Sequence, residues 1–190
     1  MRSILRQRTV NLLVVAAAMT LALCGCVHDE PEQSSIPLSS ASLPPFASDD
    51  EVLAAARATY DGYLSTSDLI MSEGGAHPER LDEFVTQEVA TIEKEGFNAL
   101  ATQGQLLQGH SSIESIVLQS YSPRSATDVV AAYVCVDVRD VDVVDQDGNS
   151  VVADTRSDQS TFQATFDLDA TTATRLRVAS NFAWSGEGVC

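Results

Sequence analysis

Val130-Ala-Ala-Tyr-Val-Cys-Val-Asp-Val-Arg139 is the stretch of sequence that decides the fold. Its apolar residues recur at every second position, namely Val130, Ala132, Val134, Val136 and Val138. The positions between them include Tyr133, Asp137 and Arg139. Because successive side chains of a β-strand point to opposite faces, this alternation predicts a strand with one buried and one wet face.

Three further stretches after residue 110 favour strands. Ser112–Tyr121 has mixed faces, whereas residues 161–168 and 175–184 alternate apolar and polar side chains. Asp147-Gly148 is a dipeptide typical of β-hairpin turns. Together these stretches predict a curved antiparallel sheet of about four to five strands.

Residues 48–100 have the period of helices. Ser48 can cap a helix and Glu51 can return the hydrogen bond, which predicts a helix over about Asp49–Leu69 that ends before Gly74-Gly75. Its apolar stripe, spaced by three and four residues, consists of Val52, Ala56, Tyr60, Tyr63, Leu64, Ser67 and Met71.

A second helix is predicted to begin at Pro78, because proline suits the first helical position. Its expected buried face consists of Leu81, Phe84, Val85, Val89 and Ile92. We expect Gly96 to break this helix and leave a short third one through Leu100. Helices followed by antiparallel strands predict an α+β fold, in which two to three N-terminal helices pack on the apolar face of the sheet.

The charge balance excludes one class of partner. The 190 residues contain 11 Lys and Arg against 27 Asp and Glu, which gives a formal net charge of −16. Nucleic-acid binding is therefore not expected, because phosphate contacts require a clustered basic face.

The N-terminus has the pattern of an export signal. Arg2, Arg6 and Arg8 precede the apolar segment Val10–Leu23, which is too short for a membrane-spanning helix. Leu23-Cys-Gly-Cys26 resembles a bacterial lipobox, in which a branched apolar residue and a small residue precede the modified cysteine. This resemblance implies that Cys26 receives a diacylglyceryl group and that the chain is then cleaved between Gly25 and Cys26.

Three different interpretations of this segment stay open. Cys24 as the acceptor is disfavoured, because it would place the bulky Leu23 where the peptidase needs a small residue. The second interpretation is a secreted protein without lipid, and the third is an uncleaved signal anchor. The predicted organisation is a lipoprotein signal peptide over residues 1–25, a lipidated cysteine and Ser/Pro/acid-rich tether over 26–47, and an α+β domain over 48–190.

Cys135 and Cys190 are the two cysteines that remain after cleavage of the signal peptide and lipidation of Cys26. An even pair in a protein outside the membrane favours a disulfide, with two free thiols as the alternative. Their spacing matches neither a CxxC redox motif nor a zinc site.

Acidic residues crowd the predicted hairpin, and Asp145, Asp147 and Asn149 have the alternating spacing that begins a calcium loop. The pattern then departs, because Gly148 is at the fourth position and Arg156 is at the twelfth, where a glutamate is needed. These three residues are weak metal candidates, and a solvated acidic turn is the favoured interpretation. The sequence predicts no metal and no cofactor.

The element order, two or three helices and then long antiparallel strands, resembles the cystatin-like cone of the nuclear transport factor two-like superfamily. The stretch Tyr133–Gly148, followed by Trp184 and Cys190, resembles small lipoproteins of high-GC Gram-positive bacteria. The resemblance covers about residues 48–190 and rests on element order and a local pattern. It implies a fold and transfers no catalytic residue.

That superfamily includes ketosteroid isomerases and SnoaL-like cyclases, which place an Asp or His and a Tyr inside an apolar cone. The residues of this chain that could take such roles are Tyr60, Tyr63, His110, Tyr121 and Asp137. None of them forms a recognisable motif, and tyrosines on a helical core stripe are more often packing residues. No catalytic residue is assigned.

The expected function is that of a lipid-anchored, extracytoplasmic binding or interaction module of the cell envelope without enzymatic activity. Its partner would be a protein or a small apolar ligand. The alternatives are an acid/base enzyme of the cone superfamily, of isomerase or dehydratase type, acting on a small apolar substrate, and a purely structural surface protein.

Overall fold

The computed structural model describes residues 44–125, 127, 129–172, 174–186 and 188–190. Two α-helices and a short 3-10 helix precede or overlie two antiparallel sheets. In chain order the elements are α1 (Asp49–Ser72), the 3-10 helix (Pro78–Glu83), α2 (Gln87–Gln103), β1 (Leu106–Gln108), β2 (Ser112–Tyr121), β3 (Val130–Asp137), β4 (Asp142–Val144), β5 (Gln159–Leu168) and β6 (Leu176–Ala183). The predicted α+β class is confirmed.

The larger sheet has four antiparallel strands in the order β2-β3-β5-β6, and the smaller one pairs β1 with β4. Helix α1 packs on the inner face of the larger sheet, and α2 contacts both α1 and strand β6. The predicted alternation of β3 is confirmed, because its even-numbered residues from Val130 to Val136 are buried beneath the helices. Within the described residues, no helix is both long and apolar enough to cross a bilayer.

Helix α1 begins as its sequence predicts. The Ser48 hydroxyl accepts a hydrogen bond from the Glu51 amide at 3.2 Å, and the Glu51 carboxylate accepts one from the Ala47 amide at 2.7 Å. The folded region also includes Phe46, which is buried and packs edge-on against Tyr121. Of the predicted tether, residues 26–43 lie outside the described part of the chain, as does the predicted signal peptide with Gly25.

The end of α1 brings the two helices close together. Gly75 has φ +83° and its amide donates to the Ile70 carbonyl at 2.8 Å. A Cβ atom at this position would lie 2.5 Å from the Phe97 carbonyl oxygen of α2. Glycine is therefore required here both by the left-handed backbone and by the approach of α2.

The prediction of one continuous helix that begins at Pro78 is wrong. Pro78 starts a 3-10 helix rather than an α-helix, and the backbone then leaves helical geometry so that Val85 forms a parallel bridge with Val178 of β6. The Val178 amide donates to the Phe84 carbonyl, and the Thr86 amide donates to the Val178 carbonyl, each at 2.9 Å. This pairing with the sheet edge outweighs the local helical preference.

Helix α2 starts afresh at Gln87 and continues through Gly96, contrary to the predicted break. Nothing lies within 4 Å of a Cβ atom built on Gly96, so the glycine occupies an open face of the helix. Leu81, Val85 and Val89 are buried as predicted, but beyond Val89 the buried face of α2 differs from the predicted one. Ile92 is 63% exposed, whereas Phe97 is buried.

The dipeptide Asp147-Gly148 forms a tight turn, with Gly148 at φ +82° and its amide donating to the Asp145 carbonyl at 3.0 Å. It does not join two long strands, because only the isolated bridge between Val144 and Ser150 follows it. Strand β4 pairs instead with β1, which lies directly after α2.

A bulge in β6 overturns the predicted alternation of that strand. Thr165 pairs with Ser180 whereas the next residue, Phe166, pairs with Val178, so Ala179 is the extra residue. Beyond the bulge the two faces exchange positions. Phe182 is consequently 69% exposed instead of buried, and Asn181 turns to the inner face opposite Ala164.

Arg177 forms an ion pair within the β5–β6 hairpin and also links this hairpin to the 3-10 helix. Arg177 Nε donates to Asp169 Oδ2 at 2.8 Å, and its Nη1 donates to the Asp82 carbonyl at 3.1 Å. Hydrogen bonds from Thr171, together with Arg177, hold the pKa of the Asp169 carboxyl well below its usual range.

The C-terminal tail crosses the outer face of the larger sheet. The Trp184 amide donates to the Thr161 carbonyl at 2.8 Å, and the Trp184 ring packs on Tyr133 with ring centroids 4.8 Å apart. The Ser115 hydroxyl then donates to the Val189 carbonyl at 2.8 Å. The tail therefore runs from β6 over β5 and β3 to β2.

The predicted pair of cysteines is joined at the end of this tail. Cys135 and Cys190 lie at a bonded S–S distance of 2.12 Å and are separated by 55 residues in sequence. Cys135 is fully buried in β3, so the bond ties the chain end to the centre of the sheet.

We predict that Cys190→Ser lowers the free energy of unfolding by about 4 kcal/mol, because the bond closes a 55-residue loop and restricts the unfolded chain. Urea unfolding of the oxidised protein measures the change. Dithiothreitol should produce the same loss in the wild type and none in Cys190→Ser. Equal stability of the oxidised wild type and the variant would contradict this prediction.

Candidate functional site

A cavity of about 420 Å³ lies between α1, α2 and the inner face of the larger sheet, and it is partly open to solvent. Aliphatic and aromatic side chains form most of its wall, among them Leu64, Met71, Phe97, Val138 and Phe162. At one end the wall becomes polar. This polar end consists of Tyr60 and Tyr63 from α1, Glu93 from α2 and Asn181 from β6.

These four side chains form a continuous chain of hydrogen bonds. The Tyr60 hydroxyl donates to Asn181 Oδ1 at 3.0 Å, and Asn181 Nδ2 donates to the Tyr63 oxygen at 3.4 Å. The Tyr63 hydroxyl in turn donates to Glu93 Oε1 at 2.7 Å. All the donors therefore point along the chain toward the carboxylate.

Burial controls the protonation of the two tyrosines. Tyr60 is fully buried and Tyr63 is 6% exposed. Desolvation raises the pKa of both phenols far above the ordinary value, and the negative charge of Glu93 raises the pKa of Tyr63 further. Both phenols consequently stay protonated across the physiological range and act as hydrogen-bond donors.

Two features of the chain bring the polar end together. Tyr60, Tyr63 and Ser67 are spaced by three and four residues, so they share one face of α1. The bulge at Ala179 turns Asn181 toward that face, opposite the buried Ala164. Without the bulge, Asn181 would lie on the outer face of the sheet.

Two more polar residues of α1 line the cavity. Ser67 is 7% exposed, and among the described residues its hydroxyl is the one buried side-chain polar atom without a hydrogen-bond partner. Asp68 is 8% exposed, and its Oδ2 accepts bonds from the Ser111 amide at 2.7 Å and the Ser111 hydroxyl at 2.8 Å. A buried hydroxyl without a partner is costly, so Ser67 marks a position where a bound polar atom would gain a hydrogen bond.

Of the five residues considered from the sequence for a catalytic cone, the structure brings only Tyr60 and Tyr63 together. The Tyr121 oxygen accepts a bond from the Phe46 amide at 3.2 Å, and its ring packs on Phe46 away from the cavity. Asp137 pairs with Arg139 at 3.1 Å, and His110 is exposed. These three residues do not contribute to the cavity wall.

The sequence patterns do not reveal three residues of the site. The helical period places Glu93 in water and Asp68 off the core stripe of α1. Regular alternation places Asn181 on the polar face of its strand.

The weak metal candidates form a turn with its own hydrogen bonds. Asp145 Oδ1 accepts bonds from the Asp147 amide and the Asn149 amide, each at 2.9 Å. These bonds hold the pKa of the Asp145 carboxyl below its usual range. Among the described residues no group of three or more His, Cys, Asp or Glu side chains is placed to hold a metal ion.

No protein-family model and no curated protein matches this chain. Among solved structures, the fold is similar to the crystal structure of the intermembrane space region of the chloroplast protein ARC6, with a TM-score of 0.51 and 14% identity, over 70% of this chain and 97% of that one. The solution NMR structure of a de novo designed β-sheet protein is matched at a TM-score of 0.31 and 15% identity, over 73% of this chain and 95% of that one. At these identities the likeness to ARC6 concerns the fold alone.

We predict that Ser67→Ala raises the free energy of unfolding of the ligand-free protein by about 1 kcal/mol, because it removes a buried hydroxyl that has no partner and improves helix propensity. Urea unfolding measures the gain. Ser65→Ala is the matched control, since Ser65 is exposed on the same helix and its hydroxyl already donates to the Gly62 carbonyl at 3.2 Å, so this variant removes a satisfied hydroxyl. A gain in Ser67→Ala no larger than in Ser65→Ala would contradict the prediction.

Proposed function

We propose that this protein is a lipoprotein anchored to the outer face of the cell membrane, and that its α+β domain binds a small, largely apolar ligand without chemically changing it. The observation that carries the binding role is the 420 Å³ cavity with an apolar wall and one polar end. The resemblance to the nuclear transport factor two-like superfamily is part of this proposal, and helices packed over a four-stranded antiparallel sheet support it.

The cavity has the properties of small-molecule sites. Its volume falls in the range of such sites, which are mainly apolar and contain a few polar groups that orient the ligand. Here the apolar wall would bury the body of the ligand, while Tyr60, Asn181, Tyr63 and Glu93 would orient its polar atom. Because these groups are already hydrogen-bonded to one another, the polar end is held in place before the ligand binds.

The proposed location rests on the N-terminal sequence and is supported by the disulfide. Leu23-Cys-Gly-Cys26 resembles a lipobox, and two acyl chains give stable membrane attachment where one chain does not. The bond between Cys135 and Cys190 fits an oxidising compartment outside the cytoplasm. The net charge of −16 disfavours contact of the domain with anionic lipid, so lipid on Cys26 would be the attachment.

Acid/base catalysis on a small apolar substrate is the second candidate function. The hydrogen bond between the protonated Tyr63 and the Glu93 carboxylate favours it, since such a pair can donate and accept protons. This candidate requires that the bound compound be altered chemically. Recovery of an unaltered ligand from the protein therefore favours the first candidate.

We predict that the protein expressed in a lipoprotein-processing bacterium incorporates a clickable palmitate analogue, and that Cys26→Ala abolishes the incorporation. Labelling followed by gel fluorescence measures it, and the membrane fraction should lose the Cys26→Ala protein. Cys24→Ala is the matched control and should keep its lipid. Lipid on Cys26→Ala would refute the assignment of the anchor.

We predict that 1-octanol binds to residues 26–190 produced in oxidised form with Cys26→Ser, and that Val138→Phe weakens this binding at least about tenfold by filling the cavity. Isothermal titration calorimetry measures both affinities. Val151→Phe is the matched control, because Val151 is exposed and lies outside the cavity wall. If Val138→Phe and Val151→Phe bind octanol equally, the cavity is not the binding site.

A further inference from the structure

The charged side chains among the described residues of the cavity wall are all negative. Among its described lining residues are two carboxylates, Asp68 and Glu93, and no lysine, arginine or histidine. In such a partly closed apolar space both carboxylates would attract a cation, whereas they would repel an anion. The net charge of the whole chain, −16, adds attraction for a cation approaching from solvent.

The hydrogen bonds already made at the polar end leave mainly acceptors for a ligand. The hydroxyl protons of Tyr60 and Tyr63 are donated to Asn181 and Glu93. Glu93 Oε2 accepts no bond from the described residues, and the Tyr60 oxygen retains its lone pairs. A ligand group that donates several hydrogen bonds therefore fits this end better than one that only accepts them.

A separate observation concerns another part of the cavity wall. Ser67 lies one helical turn from Tyr63 and two turns from Tyr60 on the same face of α1, and its hydroxyl is buried without a partner among the described residues. A hydroxyl can accept as well as donate, so Ser67 adds a further acceptor to the cavity wall.

We propose that the cavity selects a protonated primary amine carried on an apolar body. The ammonium group would donate to Glu93 Oε2 and to the Tyr60 oxygen at the polar end, and the apolar body would lie along Leu64, Phe97 and Phe162. This inference rests on the proposed binding function and adds the class of the ligand. The residues that would hold the ammonium group belong to α1 and α2.

Three probes that share one alkyl chain test the inference: octylammonium, 1-octanol and octanoate. Isothermal titration at neutral pH with the oxidised Cys26→Ser chain of residues 26–190 measures each affinity. Octylammonium should bind at least about fivefold more tightly than octanol, because a charge-assisted hydrogen bond adds to the apolar burial, and octanoate should bind most weakly. The preference for octylammonium should decrease as salt is added.

Glu93→Gln should abolish the preference for octylammonium over octanol, because glutamine keeps an acceptor for Tyr63 and removes the charge. Glu95→Gln removes the same charge from an exposed position of α2 and should leave the preference intact. The salt dependence of the unaltered chain tests the inference even if Glu93→Gln proves unstable.

The outcomes separate this inference from the proposed function. Equal binding of octylammonium and octanol, or tighter binding of octanoate, overturns the amine specificity and leaves the binding function standing. Absence of binding by all three probes overturns both. A preference for octylammonium that persists unchanged in Glu93→Gln also overturns the inference, since another group would then recognise the cation.

Discussion

The backbone pairing between Val85 and Val178 is the constraint on which the rest of this structure depends. Two hydrogen bonds of 2.9 Å join the segment Phe84–Thr86 to the edge strand β6. They cover part of an edge that would otherwise present unpaired backbone groups. They also end the 3-10 helix and determine where α2 can begin. The rotation of α2 about its axis follows from that starting point, and so does the position of Glu93 toward the cavity.

Strand β6 also shapes the cavity through a bulge that lies one residue beyond this bridge. The bulge at Ala179 exchanges the two faces of the strand, so Val178 packs in the core while Asn181 also turns inward. The same bulge places Phe182 outside, where it is 69% exposed. The amide of Asn181 then links Tyr60 and Tyr63, which α1 supplies by its regular spacing. An irregular strand and a regular helix together make the polar end.

The sequence predicts those parts of the fold that depend on local rules. Short-range geometry predicts the Ser48–Glu51 cap, the helix stop at Gly74-Gly75 and the alternation of Val130–Val136. The pairing of the two cysteines follows from their even number. The break before α2 depends on a contact between residues 85 and 178, which are distant in sequence, and the bulge in β6 is a feature of its pairing with β5. A periodic pattern assigns residues to faces correctly only within an unbroken element. One inserted residue in β6 exchanges the two faces of the rest of that strand, and an interruption of a helix changes which of the following residues face the core. For that reason Tyr60 and Tyr63 could be placed on the buried face of α1 from the sequence, whereas Glu93 and Asn181 could not be placed in the cavity wall.

The free energy of the site follows from the same features. The walls of the cavity lack the contacts that a close-packed core would make, and among the described residues the unpaired Ser67 hydroxyl adds the cost of a desolvated polar group. The disulfide between Cys135 and Cys190 opposes these costs from the other side of the sheet, because it stabilises the fold without filling the cavity. A ligand that fills the apolar wall and bonds to Ser67 would recover both losses, and its binding would raise the stability of the fold by an amount that grows with its concentration relative to Kd. The domain can thus keep an open, partly unsatisfied interior because its covalent cross-link lies on the opposite face.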